Sequence, residues 1–322
     1  MRRFTIALTA AALLLAACSN DSTNETTNDS TTSATSASTV VETTVVESTV
    51  VESTPPASTA DPQAFADRPY DVFVPSGYSA ATAAPLVILL HGYGATSAIQ
   101  EAYFKLQPQA EARGFLYVHP DATANLLGDS SWNATDACCQ NTAVDDSGYI
   151  TFIIDEVSAA YNVDPARIYL VGHSNGGFMS YRMACDHADR IAAIVSLAGA
   201  TFLDAAQCAP TEPVSVLQIH GTDDGTIEYA GGSTPIGRYP SAETTVATWS
   251  TYNGCTTATE SLGAIDLGLE IDGDETAKQA FTGCPADGAV ELWTIDGGPH
   301  IPPLTENFAA DIIDWLYAHP KE

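Results

Sequence analysis

Residues Arg167–Gly177 read RIYLVGHSNGG, and the fold turns on them. RIYLV is aliphatic, aromatic and β-branched, which predicts a strand. A helical run, Gly176 to Ala184, follows with almost no linker. Between the two lies Gly172-His173-Ser174-Asn175-Gly176. A serine hydroxyl is a weak nucleophile, and a sharp strand-to-helix turn presents it free and close to a base. Glycines at 172 and 176 relieve the crowding of such a turn. The helix opening at Asn175 aims its first amides and positive dipole end at the same point. Ser174 is therefore the candidate nucleophile. A glycine-rich structural turn would read the same way, so the rest of the chain has to supply donors, an acid and a base.

Outward from this point, strands and helices alternate. Strands are predicted at Tyr70 to Val74, Leu86 to Leu90, Phe115 to Val118, Ile191 to Leu197, Val214 to Ile219 and Val290 to Ile295. Helices are predicted at Ser97 to Arg113, Asp145 to Tyr161, Ser241 to Tyr252 and Thr305 to Tyr317. Continuous apolar strands alternating with helices mean a mostly parallel sheet covered on both faces. Ligands of such sheets bind beyond the carboxyl ends of the strands.

Three more motifs stand at strand ends. PLVILL runs into His91-Gly92-Tyr93-Gly94, where a loop supplies one oxyanion donor; the amides of Tyr93 and Asn175 are the candidate pair. The Tyr93 side chain is placed over the substrate, and His91 reads as a structural histidine holding the loop. VSVLQIH ends in Gly221-Thr222-Asp223-Asp224, which offers two candidate acids. ELWTI is followed by Asp296-Gly297-Gly298-Pro299-His300, which offers the base. The chain order is serine, aspartate, histidine. His119, His173, His187, His220 and His319 are left as structural or surface residues.

HGYGAT, SWNA followed by CC, VDDSGYI, GHSNGG, HGTDD and GGPH together resemble extracellular polyhydroxybutyrate depolymerase-like and feruloyl esterase-like proteins of the α/β-hydrolases, over nearly all of residues 65–322. The resemblance implies an α/β-hydrolase fold without a large lid, places the acid on Asp224 rather than Asp223, and implies ester hydrolysis through an acyl-enzyme on Ser174 with no cofactor or metal. Substrates implied are polyesters such as polyhydroxybutyrate, feruloyl or aryl esters, or acetylated polysaccharides. The family's final motif is a GGGH type followed by tryptophan, from which Gly298-Pro299-His300-Ile301 departs; the family often has a proline next to or two residues before the counterpart of Tyr229, where this chain has Ile227-Glu228. Trp132, in a polar segment, is a candidate substrate contact, with packing as the alternative. The rival classes are a non-catalytic surface binding protein on a hydrolase scaffold and a peptidase or acyltransferase.

The N-terminal part is of another kind. Arg2-Arg3, an apolar run from Ile6 to Leu15 and Leu15-Ala16-Ala17-Cys18 have the layout of a cleavable export signal, residues 1–17, ending in a lipobox. Cys18 is then a lipid anchor on the outer face of the membrane. Residues 18–64 are rich in Ser, Thr, Val and Glu, carry the repeat VVETT, VVEST, VVEST, and lack periodicity for a core. They read as a stalk with a reach of roughly 40 Å coiled and roughly 140 Å extended. Residues 65–322 suit one catalytic domain, expected to be monomeric.

The chain holds 40 acidic and 11 basic residues; seven acidic and two basic ones precede residue 65, which leaves a net charge of −24 for the rest. Such a charge disfavours nucleic acid and anionic lipid as partners. Cys138, Cys139, Cys185, Cys208, Cys255 and Cys284 are an even set in an exported domain and read as disulfides. Cys255 with Cys284 is expected, and the adjacent Cys138 and Cys139 with Cys185 and Cys208, since neighbours rarely pair. No CxxC pair or histidine cluster suggests a metal. The acid-rich stretch Asp266 to Glu275 lacks EF-hand spacing and reads as a solvated hairpin.

Overall fold

The computed structural model describes residues 65, 67–139 and 144–322. The export signal, Cys18 and the stalk lie outside the described residues.

Strand β2, Ala84–Leu90, is buried at all seven positions. Its side chains alternate between two cores: Leu86, Ile88 and Leu90 enter one, Val87 and Leu89 the other. A strand covered on both faces has no polar side to show, which is why its apolar run is unbroken. It pairs in parallel with β3, Leu116–Val118, and with β4, Val163–His173. β5, Ala193–Leu197, and β6, Ser215–Gly221, extend the sheet in parallel. Two short strands, β7 (Gly232–Ser233) and β8 (Arg238–Tyr239), form a separate ribbon.

β9, Thr259–Ile265, and β10, Thr276–Phe281, then form an antiparallel pair, and β11, Val290–Ile295, returns parallel to β6. With β1, Val72–Phe73, the order is β1-β3-β2-β4-β5-β6-β11-β10-β9. The sequence reading has no β9 or β10. β9 is exposed along nearly its whole length, so no apolar alternation marks it. Residues 266–275 connect these two strands.

Helices α3 (Asp146–Ala160), α4 (Asn175–Asp186) and α5 (Ala242–Tyr252) cover one face through Tyr149, Ile153, Phe178 and Trp249. α1 (Ser97–Phe104), α2 (Leu106–Arg113) and α6 (Phe308–Tyr317) cover the other through Phe104, Leu106, Phe308 and Ile312. The single helix expected from Ser97 to Arg113 is two helices. Lys105 breaks it at φ 56°, its amide bonding Glu101 O. No helix among the described residues is long and apolar enough to cross a membrane.

The expected cysteine pairing is partly overturned. Cys255 does pair with Cys284, but Cys185 pairs with Cys208 and Cys138 with its neighbour Cys139. Cys185 at the end of α4 and Cys208 lie 5.5 Å apart at Cα, well within disulfide reach, which among the described residues leaves the adjacent cysteines each other.

Candidate active site

The carboxyl ends of β2, β4, β6 and β11 bring the four motifs together. At the end of β4 the chain turns at Ser174, whose φ of 52° and ψ of −118° are rare for a residue with a side chain. Such a conformation persists only where the surroundings enforce it. Here α4 starts at once and packs against β2 so tightly that a Cβ on Gly176 would sit 2.1 Å from Leu90 O. Only glycine lets the helix start that close.

Ser174 Oγ donates to His300 Nε2 at 3.0 Å, and His300 Nδ1–H donates to Asp224 Oδ2 at 2.7 Å. Asp224 is 4% exposed, whereas Asp223 points outward and contacts the base loop only through its amide, bonded to Gly298 O. The geometry therefore brings Asp224, not Asp223, to the imidazole. Oδ1 of Asp224 accepts from the Thr226 and Ile227 amides at 2.8 and 2.9 Å. Burial alone would raise the Asp224 pKa, but hydrogen bonds from His220 and His300, the charge of His300 and the Thr226 amide hold it well below the carboxylate range. The acid and base loops are packed as one unit: a Cβ on Gly221 would fall 2.0 Å from Gly298 O, and Thr222 Oγ1 accepts from the Gly297 amide at 2.7 Å.

Neither the Tyr93 nor the Asn175 amide donates to a protein acceptor among the described residues; Tyr93 lies in the loop after β2, and Asn175 is the first residue of α4, directly after Ser174. The loop carrying Tyr93 is fixed from behind. His91 is fully buried; its Nδ1–H donates to Gly92 O at 2.8 Å and its Nε2 accepts from the Ala122 amide at 3.0 Å. Burial holds its pKa below the ordinary histidine value, so it stays neutral in this role. The reading of His91 as a loop holder agrees with this geometry.

Trp132 is not a substrate contact. It is 0% exposed, and its indole N–H donates to His91 O at 3.1 Å. Its backbone exchanges two hydrogen bonds with the Asn175 side chain, at 2.7 and 3.0 Å. Trp132 thus joins the Tyr93 loop to the Ser174 turn from the interior.

Two clefts meet at Ser174. One, about 430 Å³, is walled by Ile99, Tyr103, His300 and Ile301. The other, about 420 Å³, is walled by Leu127, the Cys138–Cys139 pair, Thr234 and Ile236. Tyr93, Ser174 and Thr226 line both, and among the described residues no acidic side chain, lysine or arginine lines either. The Tyr93 hydroxyl donates to Asp129 at 2.7 Å and accepts from Asn125 at 2.9 Å, which holds the ring at this divide.

The sequence reading missed two residues. His173, which reads as structural in the sequence, donates through Nε2 to His300 O at 3.1 Å, and its ring packs tilted, 5.2 Å from that of His300. His220 contacts Asp224 itself. Their positions flanking the two motifs were the available signal. A second serine–histidine–aspartate group, Ser147, His187 and Asp186, has another connectivity. Ser147 Oγ contacts both His187 Nε2 and Asp186 Oδ2, so the carboxylate does not orient the ring, and Ser147 lies within α3. Among the described residues no cluster of histidine, cysteine or acidic side chains is arranged to hold a metal ion.

The family model for phospholipase/carboxylesterase matches residues 77–255. Feruloyl esterase B of Piromyces equi is 29% identical over 234 residues, 70% of this chain and 41% of that protein. A bifunctional acetylxylan esterase/xylanase of Neocallimastix patriciarum is 27% identical over 72% of this chain and 34% of its own. The chain thus spans less than half the length of these relatives. Among solved structures, the acetyl xylan esterase from Aspergillus awamori superposes with a TM-score of 0.55 at 15% identity, covering 77% of this chain and 93% of that one. At that identity the likeness speaks for the fold.

Proposed function

The chain belongs to the phospholipase/carboxylesterase family, and from that membership we propose that it is a serine esterase acting through Ser174, Asp224 and His300. The single observation that carries the reading is the unbroken Ser174–His300–Asp224 chain at 3.0 and 2.7 Å, beside two free amides. His300 Nε2 takes the Ser174 proton as Oγ attacks the ester carbonyl, and the tetrahedral oxyanion is held by the Tyr93 and Asn175 amides. His300 then returns the proton to the alkoxide, which leaves as the alcohol. Water, deprotonated by the same nitrogen, attacks the acyl-enzyme; the proton goes back to Ser174 Oγ as the free acid departs. Asp224 keeps the ring in the Nδ1–H tautomer and stabilises its cationic form throughout. No cofactor enters these steps.

The leaving oxygen must come within hydrogen-bond reach of His300 Nε2, and His300 lines only the first cleft. The alcohol is therefore assigned to the Ile99, Tyr103 and Ile301 side, and the acyl group to the Leu127 and Ile236 side. Uncharged walls on both sides favour substrates neutral next to the ester. Feruloyl and acetyl esters of polysaccharides lead the proposed substrates, since relatives carry those names, with polyesters such as polyhydroxybutyrate behind them. Export behind residues 1–17, anchoring through Cys18, the stalk and a monomeric domain from residue 65 complete the proposal. Palmitate labelling that survives Cys18→Ser would sink the anchor.

The test is hydrolysis of p-nitrophenyl butyrate by the chain and by Ser174→Ala, followed by product analysis on feruloylated xylan, acetylated xylan and polyhydroxybutyrate. Loss of turnover in the variant supports the reading. Equal rates in both would remove Ser174 from the reaction, and no turnover in either would leave a binding scaffold.

A further inference from the structure

Asp224 does not stand alone behind His300. Its Oδ2 also lies 3.3 Å from Nε2 of His220, a ring 1% exposed at the end of β6. The same Nε2 lies 2.8 Å from Ile227 O, while the Ile227 amide caps Asp224 Oδ1. One ring edge thus faces both the carboxylate and the turn that holds it.

The proton on that edge is fixed by a chain of partners. Gln218, fully buried on β6, lies 2.9 Å from Gly199 O through its amide nitrogen. A carbonyl accepts only, so the Gln218 NH₂ must face Gly199 and its oxygen must face the Tyr181 hydroxyl, 2.8 Å away. The second N–H of that NH₂ then points at His220 Nδ1, at 3.1 Å. Nδ1 accepts, so the single ring proton sits on Nε2, where neutral His220 donates to Ile227 O at 2.8 Å and, more distantly, faces Asp224 Oδ2 at 3.3 Å. Reversing the Gln218 amide would set two carbonyl oxygens against each other, and a proton on Nδ1 would face an N–H.

From this geometry, and resting on the reading of Ser174, His300 and Asp224 as the catalytic triad, we infer that His220 is a positioning residue for the catalytic acid. Locked by Gly199, Gln218 and Tyr181, it holds Oδ2 toward His300 and shares the charge that would otherwise fall on His300 alone. Without it, Asp224 keeps a fuller charge toward His300 and a looser rotamer. The other titratable groups facing this network are His173, packed on His300, and Tyr229 and Tyr239 beside His220 and Asp224.

Two measurements test this on the full chain. Nitrogen-15 spectra of the histidine rings at neutral pH should show His220 protonated on Nε2, with the preference relaxing in Gln218→Leu; a proton on Nδ1 overturns the inference whatever the variants do. In His220→Leu, kcat should fall roughly tenfold, the scale of one lost hydrogen bond, with KM nearly unchanged. The acid limb of kcat/KM should move to higher pH, because the less shared carboxylate makes His300 more basic. His220→Gln, which can again present an N–H near the Nε2 position, should recover most of both effects. An unmoved acid limb in a folded His220→Leu, or a glutamine variant no better than leucine, would reduce His220 to packing. Should His220→Leu not fold, the tautomer and Gln218→Leu still decide. Turnover by Ser174→Ala would instead indict the triad reading and leave the tautomer result standing.

Discussion

Replacing Trp132 by phenylalanine separates packing from substrate contact at the residue where the sequence pointed the wrong way. The exchange keeps a buried ring, removes the indole N–H and leaves the His91 carbonyl without its donor at 3.1 Å. An orphaned buried acceptor costs about 1–3 kcal/mol. For a domain of this size that lowers Tm by roughly 2–6 °C. Trp132→Ala also removes the ring, for about 3–5 kcal/mol more, and should lower Tm by roughly 8–16 °C. The two bonds to the Asn175 side chain use the Trp132 backbone and survive in both variants. In Trp132→Phe, kcat/KM should therefore stay within about threefold of the parent for every ester where the enzyme remains folded. The assay is thermal unfolding beside kcat/KM on a short aliphatic and an aromatic ester. A phenylalanine variant with parental Tm, but selectively poor on the aromatic ester, would refute the argument and return Trp132 to the cleft.

Three further outcomes are expected. Asp224→Asn should lower kcat roughly ten-thousandfold, as loss of the imidazole's carboxylate does, while Asp223→Asn, on an exposed carboxylate, should stay near the parent; equal losses would undo the assignment. The pKa of His173 is lowered to about 4 by burial and then by the neighbouring His300. The unfolded value is about 6.5. Stability is thus fully present above pH 6.5 and declines by about 3 kcal/mol as pH falls toward the folded value, so denaturant melts of His173→Phe should lose that slope. Narrowing the acyl cleft with Ile236→Trp should lower kcat/KM for p-nitrophenyl octanoate against acetate roughly tenfold, the worth of two buried methylenes, and slow deacylation. Ile301→Trp should instead discriminate among acetates of different alcohols and leave deacylation alone; the reverse pattern would exchange the two clefts.

The features legible in the sequence are those with a local cause. RIYLVGHSNGG carries its strand, turn and helix start within eleven residues, because apolar period and glycine placement act over that range. β2 announces burial on both faces by its unbroken apolar run. The base loop and the doubled aspartate are visible as motifs, and only the family resemblance, not spacing, favours Asp224 over its neighbour. Fold class and the nucleophile's setting therefore came from the chain order of short signals. Element edges were less legible: Lys105 splits a helix whose apolar pattern runs through it, and exposed β9 pairs without any pattern to betray it.

What tertiary structure alone decided depends on residues far apart meeting in space. Asp224, chosen over Asp223 in the sequence only by resemblance, owes its contact to the fold: it is the carboxylate that turns inward to His300, 76 residues away. Cys185 finds Cys208 because α4 ends beside the loop after β5. Trp132 is interior because His91 and Asn175, 41 and 43 residues distant, need its hydrogen bonds. The proton-bearing edge of His220 is set by Gly199 through Gln218, a relation no spacing encodes. Sequence patterns record what each residue asks of its neighbours along the chain; burial and hydrogen-bond completion choose its partners only once the sheet has brought the loops together.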